Sequence, residues 1–161
     1  MRDDPSRLAE LRRLAILDSS PERVYDDITR LLATTLAVPI TLVNLLDEQR
    51  DWFKSCSGIQ QTESPRITSF CEAFFNSTSD LIVVEDTLLD PRFVEHPFVV
   101  GRPFVRFYAA ARLVVRSQTV GTLCAYDMQP RQLGAQQVDH LRAMAAAVVE
   151  LLGERATRRK A

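Results

Sequence analysis

The chain has 161 residues, 46% hydrophobic and 25% charged, which suits one domain with a continuous core and is too apolar for disorder. A formal net charge of −1 argues against a general nucleic-acid binder, which would carry a basic excess. The charged start MRDDPSRLAELRR lacks a signal-peptide core, and the apolar run at 31–46 is broken by Pro39 and Asn44 and falls short of the ~18 residues of a membrane helix, so a cytoplasmic protein with no membrane contact is expected.

Residues 5–17, PSRLAELRRLAIL, place Leu8, Leu11, Leu14 and Leu17 on one stripe and predict a helix. Residues 18–22 then offer a second start signal, with Ser20 as N-cap ahead of Pro21 or Ser19 in a capping box with Glu22. The helix that follows is expected to bury Val24, Ile28, Leu31, Leu32 and Leu36 and to stop before Pro39. After Pro39 the period changes. ITLVNLLD (40–47) reads as a central strand, EQR as a tight turn, and DWFKSCS (51–57) as its antiparallel partner. Gly58 and the polar residues up to Arg66 read as a loop.

Ser69-Phe70-Cys71-Glu72 matches the S-x-x-E capping box, which puts Cys71 in the first turn of a short helix from 70 to about 76. LIVVED (81–86) is a short strand. Residues 87–104 carry three prolines and several aromatics, and form an ordered loop with a helical turn or two. Loops of more than about 12 residues in a compact domain are commonly functional, so this one is the first candidate for a ligand lid. VRFYAAARLVV (105–115) and QTVGTLCAYD (118–127) read as strands joined at Arg116-Ser117. The last helix runs from Ala135 to about Thr157. Val138, Leu141, Ala145, Val148 and Leu152 give it a heptad seam, widened by Met144, Val149 and Leu151. The basic end RATRRK (155–160) fits compensation of the helix dipole. Hairpins dominate, so the class is α+β with an antiparallel sheet. Residues 1–20 form a lead-in, 21–157 one domain, and 158–161 a tail.

Cys56, Cys71 and Cys124 are far apart and outside any CxxC, and His96 and His140 are distant from each other, so reduced thiols and no metal site are expected. An exposed helix N-terminus favours the Cys71 thiolate, whereas Glu72 opposes it. Asp90 before Pro91 starts a turn. Arg92 pairs with Asp86 or Asp90, or reaches a ligand carboxylate or phosphate.

The segment RLAELRRLAIL with the Asp18–Glu22 stretch after it, followed by VPITLVNLLDEQRDWFKSCSG, ESPRITSFCEAFF, DLIVVEDTLLDPRFVEHPFVVG, VRFYAAARLVV and VGTLCAYDMQPRQL, resembles a bacterial GAF domain of the type found alone or ahead of diguanylate cyclase and histidine kinase modules. The resemblance spans about 7–152. It implies a six-stranded antiparallel sheet, with long N- and C-terminal helices packed on one face and a pocket on the other. The roof would be residues 69–75 and 86–108, and the floor 44–47, 52–54 and 124–127. It also implies small-ligand sensing in signal transduction, a homodimer through the terminal helices, and an output kinase or cyclase as partner.

The candidate ligand-binding residues are Trp52, Ser69, Phe70, Cys71, Asp86, Arg92, Phe93, Arg106, Tyr108 and Tyr126. Tyr108 either recognises a ligand or closes the core. Some GAF proteins reduce free methionine sulfoxide with a cysteine near the short helix and further cysteines nearby. Cys71 would be the catalytic candidate here, but 62–68 and 87–104 contain no second cysteine. Bilin-bearing GAF domains place a His after the attachment cysteine, whereas Cys71 is followed by Glu72, so no covalent bilin and no specific cofactor is expected. NLLDE (44–48) is only a loose echo of the N-K-x-D-E signature of cyclic-nucleotide GAF domains. The remaining alternative is a ligandless interaction module whose pocket is filled by its own aromatics.

Overall fold

The structure is a computed structural model and describes residues 1–160, with Arg159 and Lys160 described by backbone alone. Its elements in chain order are α1 (Pro5–Arg13), α2 (Arg23–Leu36), β1 (Ile40–Leu46), β2 (Arg50–Ser57), β3 (Glu63–Pro65), a 3-10 helix at Phe70–Asn76, β4 (Leu81–Val84), α3 (Pro97–Val100), β5 (Phe107–Val115), β6 (Gln118–Asp127) and α4 (Ala135–Lys160). All strand pairs are antiparallel, in the order β3-β2-β1-β6-β5-β4. The α+β class and the six-stranded sheet are as expected. The sixth strand is β3, which lies inside the segment read as a loop: three residues are too few for a period to show.

The sheet separates two cores. On one face α1, α2 and α4 pack Leu11, Leu32, Leu36, Leu141, Val148 and Leu152 against Val43, Leu45, Phe107 and Leu123. On the other, Phe70, Cys71, Phe74, Phe93 and Val99 roof Leu42, Phe53, Tyr108, Ala110 and Cys124. Strand alternation makes this division: Phe107 faces the helices and Tyr108 the roof. Arg116 and Ser117 both have positive φ, the twist a two-residue hairpin requires. Gly58 is left-handed, and a Cβ there would collide with the Pro39 carbonyl.

Several local expectations are corrected. α1 ends at Arg13, and Leu17 lies beyond it, after Ala15 in the left-handed region. Neither serine caps α2. Ser19 Oγ donates to Ile16 O and accepts from Lys54 Nζ, while the N-cap residue Glu22 turns its carboxylate to Lys54 Nζ at 2.7 Å and Arg155 at 2.9 Å. Two cations hold that carboxylate better than one backbone N–H. The buried stripe of α2 is Tyr25, Thr29, Leu32 and Leu36, leaving Val24 and Leu31 exposed. Thr29 can turn inward because its hydroxyl meets Ser55 Oγ at 2.9 Å and its carbonyl accepts from Thr41.

The α4 seam is buried on the domain's own sheet from Leu141 to Leu152, Val138 being half-buried, and Met144, Val149 and Leu151 pack against the same core. The helix continues through Lys160, three residues beyond its expected end, and of the expected tail only Ala161 lies outside the described residues. No helix among the described residues is long and apolar enough to cross a membrane.

Candidate functional site

The roof side contains a cavity of about 450 Å³. Ile40 and Leu42 of β1, Phe53 of β2 and Tyr126 of β6 form its floor, and Phe70, Phe98 and Val105 close it from above. Ile59, Gln61, Ser64 and Thr68, from the segment between β2 and the 3-10 helix, form one flank. Asp51 and Arg102 also reach its wall. The lining is mostly apolar with a few convergent polar groups, the usual make-up of a small-molecule site. A second, more polar cavity of about 330 Å³ lies across Phe70, bounded by Ser69, Glu72, Asn76, Arg92, Phe93 and His96.

Phe70 is the wall between the two cavities. Its ring stacks on His96 with centroids 4.0 Å apart and on Phe93 at 5.3 Å, and meets Tyr108 at 5.2 Å and Tyr126 edge-on at 5.4 Å. The ring is held because His96 is tied at both nitrogens: Nδ1 accepts from Phe98 N at 2.9 Å, and Nε2 lies 3.2 Å from Thr68 O. An Nδ1 that accepts requires the proton on Nε2. Burial lowers the His96 pKa, and the Thr68 carbonyl partly opposes that.

Beneath Phe70 lies a buried polar network. Cys71 Sγ sits 3.1 Å from Tyr108 Oη, 3.0 Å from Thr122 Oγ1 and 3.6 Å from Asn44 Nδ2. Asn44 Nδ2 also donates to Asp51 Oδ2 at 3.0 Å. Burial drives the Tyr108, Tyr126 and Cys124 groups well above their ordinary values, so all three stay protonated. Among the described residues, the buried side-chain atoms without a hydrogen-bond partner are Asn44 Oδ1, Ser69 Oγ and Nη2 of Arg7, whose guanidinium stacks on Phe75.

Asp51 is closed from the other side by the segment ahead of α1. The Arg2 side chain is fully buried. It donates to Asp51 Oδ1 at 2.8 Å, Asp47 O at 2.8 Å, Arg50 O at 2.9 Å and Glu72 Oε1 at 3.2 Å. Arg66 also holds Glu72, at 2.8 Å.

The expected site residues divide into three groups. Phe70 and Tyr126 line the larger cavity, and Ser69, Phe70, Arg92 and Phe93 the smaller. Cys71 and Tyr108 lie beneath them in the network. Three residues stand elsewhere. Trp52 belongs to the helix-side core, because the pleat turns Asp51 and Phe53 to the cavity and sends Trp52 to the opposite face. Asp86 and Arg106 pair with each other at 3.0 Å, lining neither cavity, and Asp86 caps a 3-10 turn at Thr87–Leu89. Arg92 takes the local partner, Asp90, at 2.7 Å.

The Ser69 capping box is absent. The segment is 3-10 rather than α, Ser69 Oγ makes no bond, and Glu72 is drawn to Arg2 and Arg66 instead. Outside the expected roof and floor, the cavity wall also takes Asp51, Ile59 and Gln61, whereas Arg102 lies in the expected roof segment without being one of the candidate residues there. Parity with Phe53 could have pointed to Asp51, but Ile59 and Gln61 lie in an irregular segment that carries no periodic signal.

A model of the GAF domain family matches residues 20–152. The chain is 36% identical over 130 residues to a cyclic di-GMP phosphodiesterase of Pseudomonas aeruginosa, an alignment covering 80% of this chain and 22% of that protein. The GAF domain of an Acinetobacter phosphoenolpyruvate-protein phosphotransferase superposes with a TM-score of 0.68 at 17% identity, covering 94% of this chain and 95% of that one. A type II free methionine-R-sulfoxide reductase from Thermoplasma acidophilum superposes with a TM-score of 0.64 at 11% identity, covering 82% and 92%. At those identities the two structures establish the shared fold alone. With its helix-backed antiparallel sheet, roofed cavity and matching family model, the chain belongs to the GAF domain family.

Proposed function

We propose that this GAF domain is a cytoplasmic sensory module that binds a small molecule in the 450 Å³ cavity and passes occupancy to an output partner in signal transduction. The cavity itself carries this reading: an apolar chamber with polar groups at its wall, roofed by two short helices and an irregular segment. Its size lies within the range of small-molecule sites. The Pseudomonas relative supports an output role, since the aligned region is a minor part of a protein named for phosphodiesterase activity. A ligand shifts such a module only by binding its two states with different affinity.

We further infer a homodimer. Val24 and Leu31 are one heptad apart on the exposed face of α2, and α2 packs beside α4. Helix α2 therefore presents two apolar side chains, Val24 and Leu31, that the domain's own core does not cover.

Cys71 is better suited to holding the roof in register than to reducing a sulfoxide. It is sealed from solvent, and its sulfur is engaged by a phenol and a hydroxyl.

Native mass spectrometry of protein purified from its own host, with a thermal-shift panel of amines, amino acids, aromatic acids and cyclic nucleotides, tests the sensor reading. A retained mass or a melting shift that Tyr126→Ala removes supports it. A ligand-free protein with no shift across the panel supports the interaction module instead.

A further inference from the structure

Asp51 belongs to two structures at once. One side of it reaches the wall of the large cavity, and Oδ1 holds the buried guanidinium of Arg2. Arg2 is its only ion-pair partner among the described residues. Glu72, the other carboxylate on Arg2, keeps Arg66 if Arg2 leaves, but Asp51 would then be a buried anion with no cation. A buried charge cannot be left in that state at low cost, so whatever removes Arg2 must supply a positive group in its place.

The surroundings favour such an exchange over simple addition. Arg7 donates to the Arg2 carbonyl at 2.7 Å, and burial together with the charge of Arg2 lowers the Arg7 pKa to about 10. Arg66 lies across Glu72. A further cation brought to Asp51 while Arg2 is docked would lie against the Arg2 guanidinium already on Oδ1, although Asp3, Asp47 and Glu72 balance the neighbouring arginines. The orphan Asn44 Oδ1, on the amide bonded to Asp51, is an acceptor that an N–H of an incoming group can satisfy. The amide orientation is fixed by that bond, since the flipped form would face oxygen to oxygen.

We propose that the cavity takes an organic cation, an amine or guanidine carried on an apolar body, whose head group replaces Arg2 on Asp51 and so releases the segment ahead of α1. The apolar body lies between Leu42, Phe53 and Phe70. The docked segment and the ligand are then mutually exclusive occupants of one carboxylate, and each weakens the other by the same factor. This deepens the sensor reading and rests on it: the ligand class follows from Asp51, and the moving element is the N-terminal segment.

The experiment uses 2-phenylethylamine, 3-phenylpropionate and neutral 3-phenylpropanol, titrated by calorimetry into the wild type, Arg2→Ala and Asp51→Asn. Arg2→Ala is expected to bind the amine at least about tenfold more tightly than the wild type, because the competitor is gone. Asp51→Asn is expected to lose the preference for the amine over the alcohol. In the wild type, the Arg2 Nε–H, bonded to the Asp47 carbonyl, is expected to give an exchange-protected resonance that disappears on adding the amine and persists with the acid. That spectrum needs no variant, so it decides the matter if a substituted chain fails to fold. Binding of all three probes with equal affinity, or a retained Arg2 signal under saturating amine, overturns the cation assignment while leaving a ligand site. Binding of none in any variant overturns the ligand site as well.

Discussion

On the helix side of the sheet, Leu32, Leu36, Leu141 and Val148 are sealed among other aliphatic side chains, and the inward hydroxyls of Thr29, Thr41 and Ser55 are all hydrogen-bonded. On the roof side, aromatic rings share their space with two buried thiols, an amide, a carboxylate and two cavities, and Asn44 Oδ1 and Ser69 Oγ have no partner. The first face is packed to hold the fold. The second is less completely filled: two cavities open above a buried polar network in which Asn44 Oδ1 has no partner.

Truncation should separate the faces most strongly. Leu141→Ala opens a void that nothing can fill and is expected to cost about 2–5 kcal/mol of unfolding free energy in urea melts. Phe98→Ala, at a half-buried residue beside existing volume, should cost less than half as much and act mainly on ligand affinity. Equal losses would mean that the roof side is as tightly packed as the helix side.

Cys71→Ala comes next. It leaves the Tyr108 and Thr122 hydroxyls to re-pair and is expected to cost about 1–3 kcal/mol. In the native wild type, a thiol reagent should modify half-buried Cys56 first, with Cys71 and Cys124 reacting only as the domain opens. Rapid native labelling of Cys71 would revive the enzyme reading.

The Asp86–Arg106 pair is screened by water, and a double-mutant cycle should find little or no coupling. The effect of pH is also small. His96 is held below the ordinary imidazole value by burial, so the unfolded chain takes up the proton first as pH falls through about 6.5. The stability that neutral His96 contributes is therefore whole above that pH and declines below it. Roof-side amides should exchange faster at pH 5.5 than at pH 7.5 after correction for intrinsic rates, and His96→Asn should flatten the difference. Helix-side amides should not respond.

The same division governs what can be read without coordinates. Long elements are legible: β1 comes from its β-branched apolar run, β2 as its hairpin partner, β5 and β6 as apolar runs about a two-residue turn, the α4 seam from its heptad spacing, and the lid segment from its length. Face assignment is less so. β2 is buried on both sides, and alternation says that Asp51 and Phe53 share a face but not which one, so the sequence offers Trp52 to the pocket although it sits among the helices. In α2 the apolar residues outnumber the buried positions, and tertiary hydrogen bonds to Thr29 decide the rotation. The capping boxes fail because Glu22 meets two cations from distant sequence and Glu72 meets one distant cation, Arg2, and one from six residues before it, Arg66. Arg2 carries no local signal, since its cradle is assembled from residues more than forty positions away.

The most direct test of the roof face as the ligand-binding face is a methyl-resolved NMR titration with 2-phenylethylamine. The expected result is that Ile40, Leu42, Ile59 and Val105 shift and saturate together while Leu32, Leu141, Val148 and Leu152 stay fixed. Shifts confined to the helix side, or none on either side at saturating amine, would contradict it.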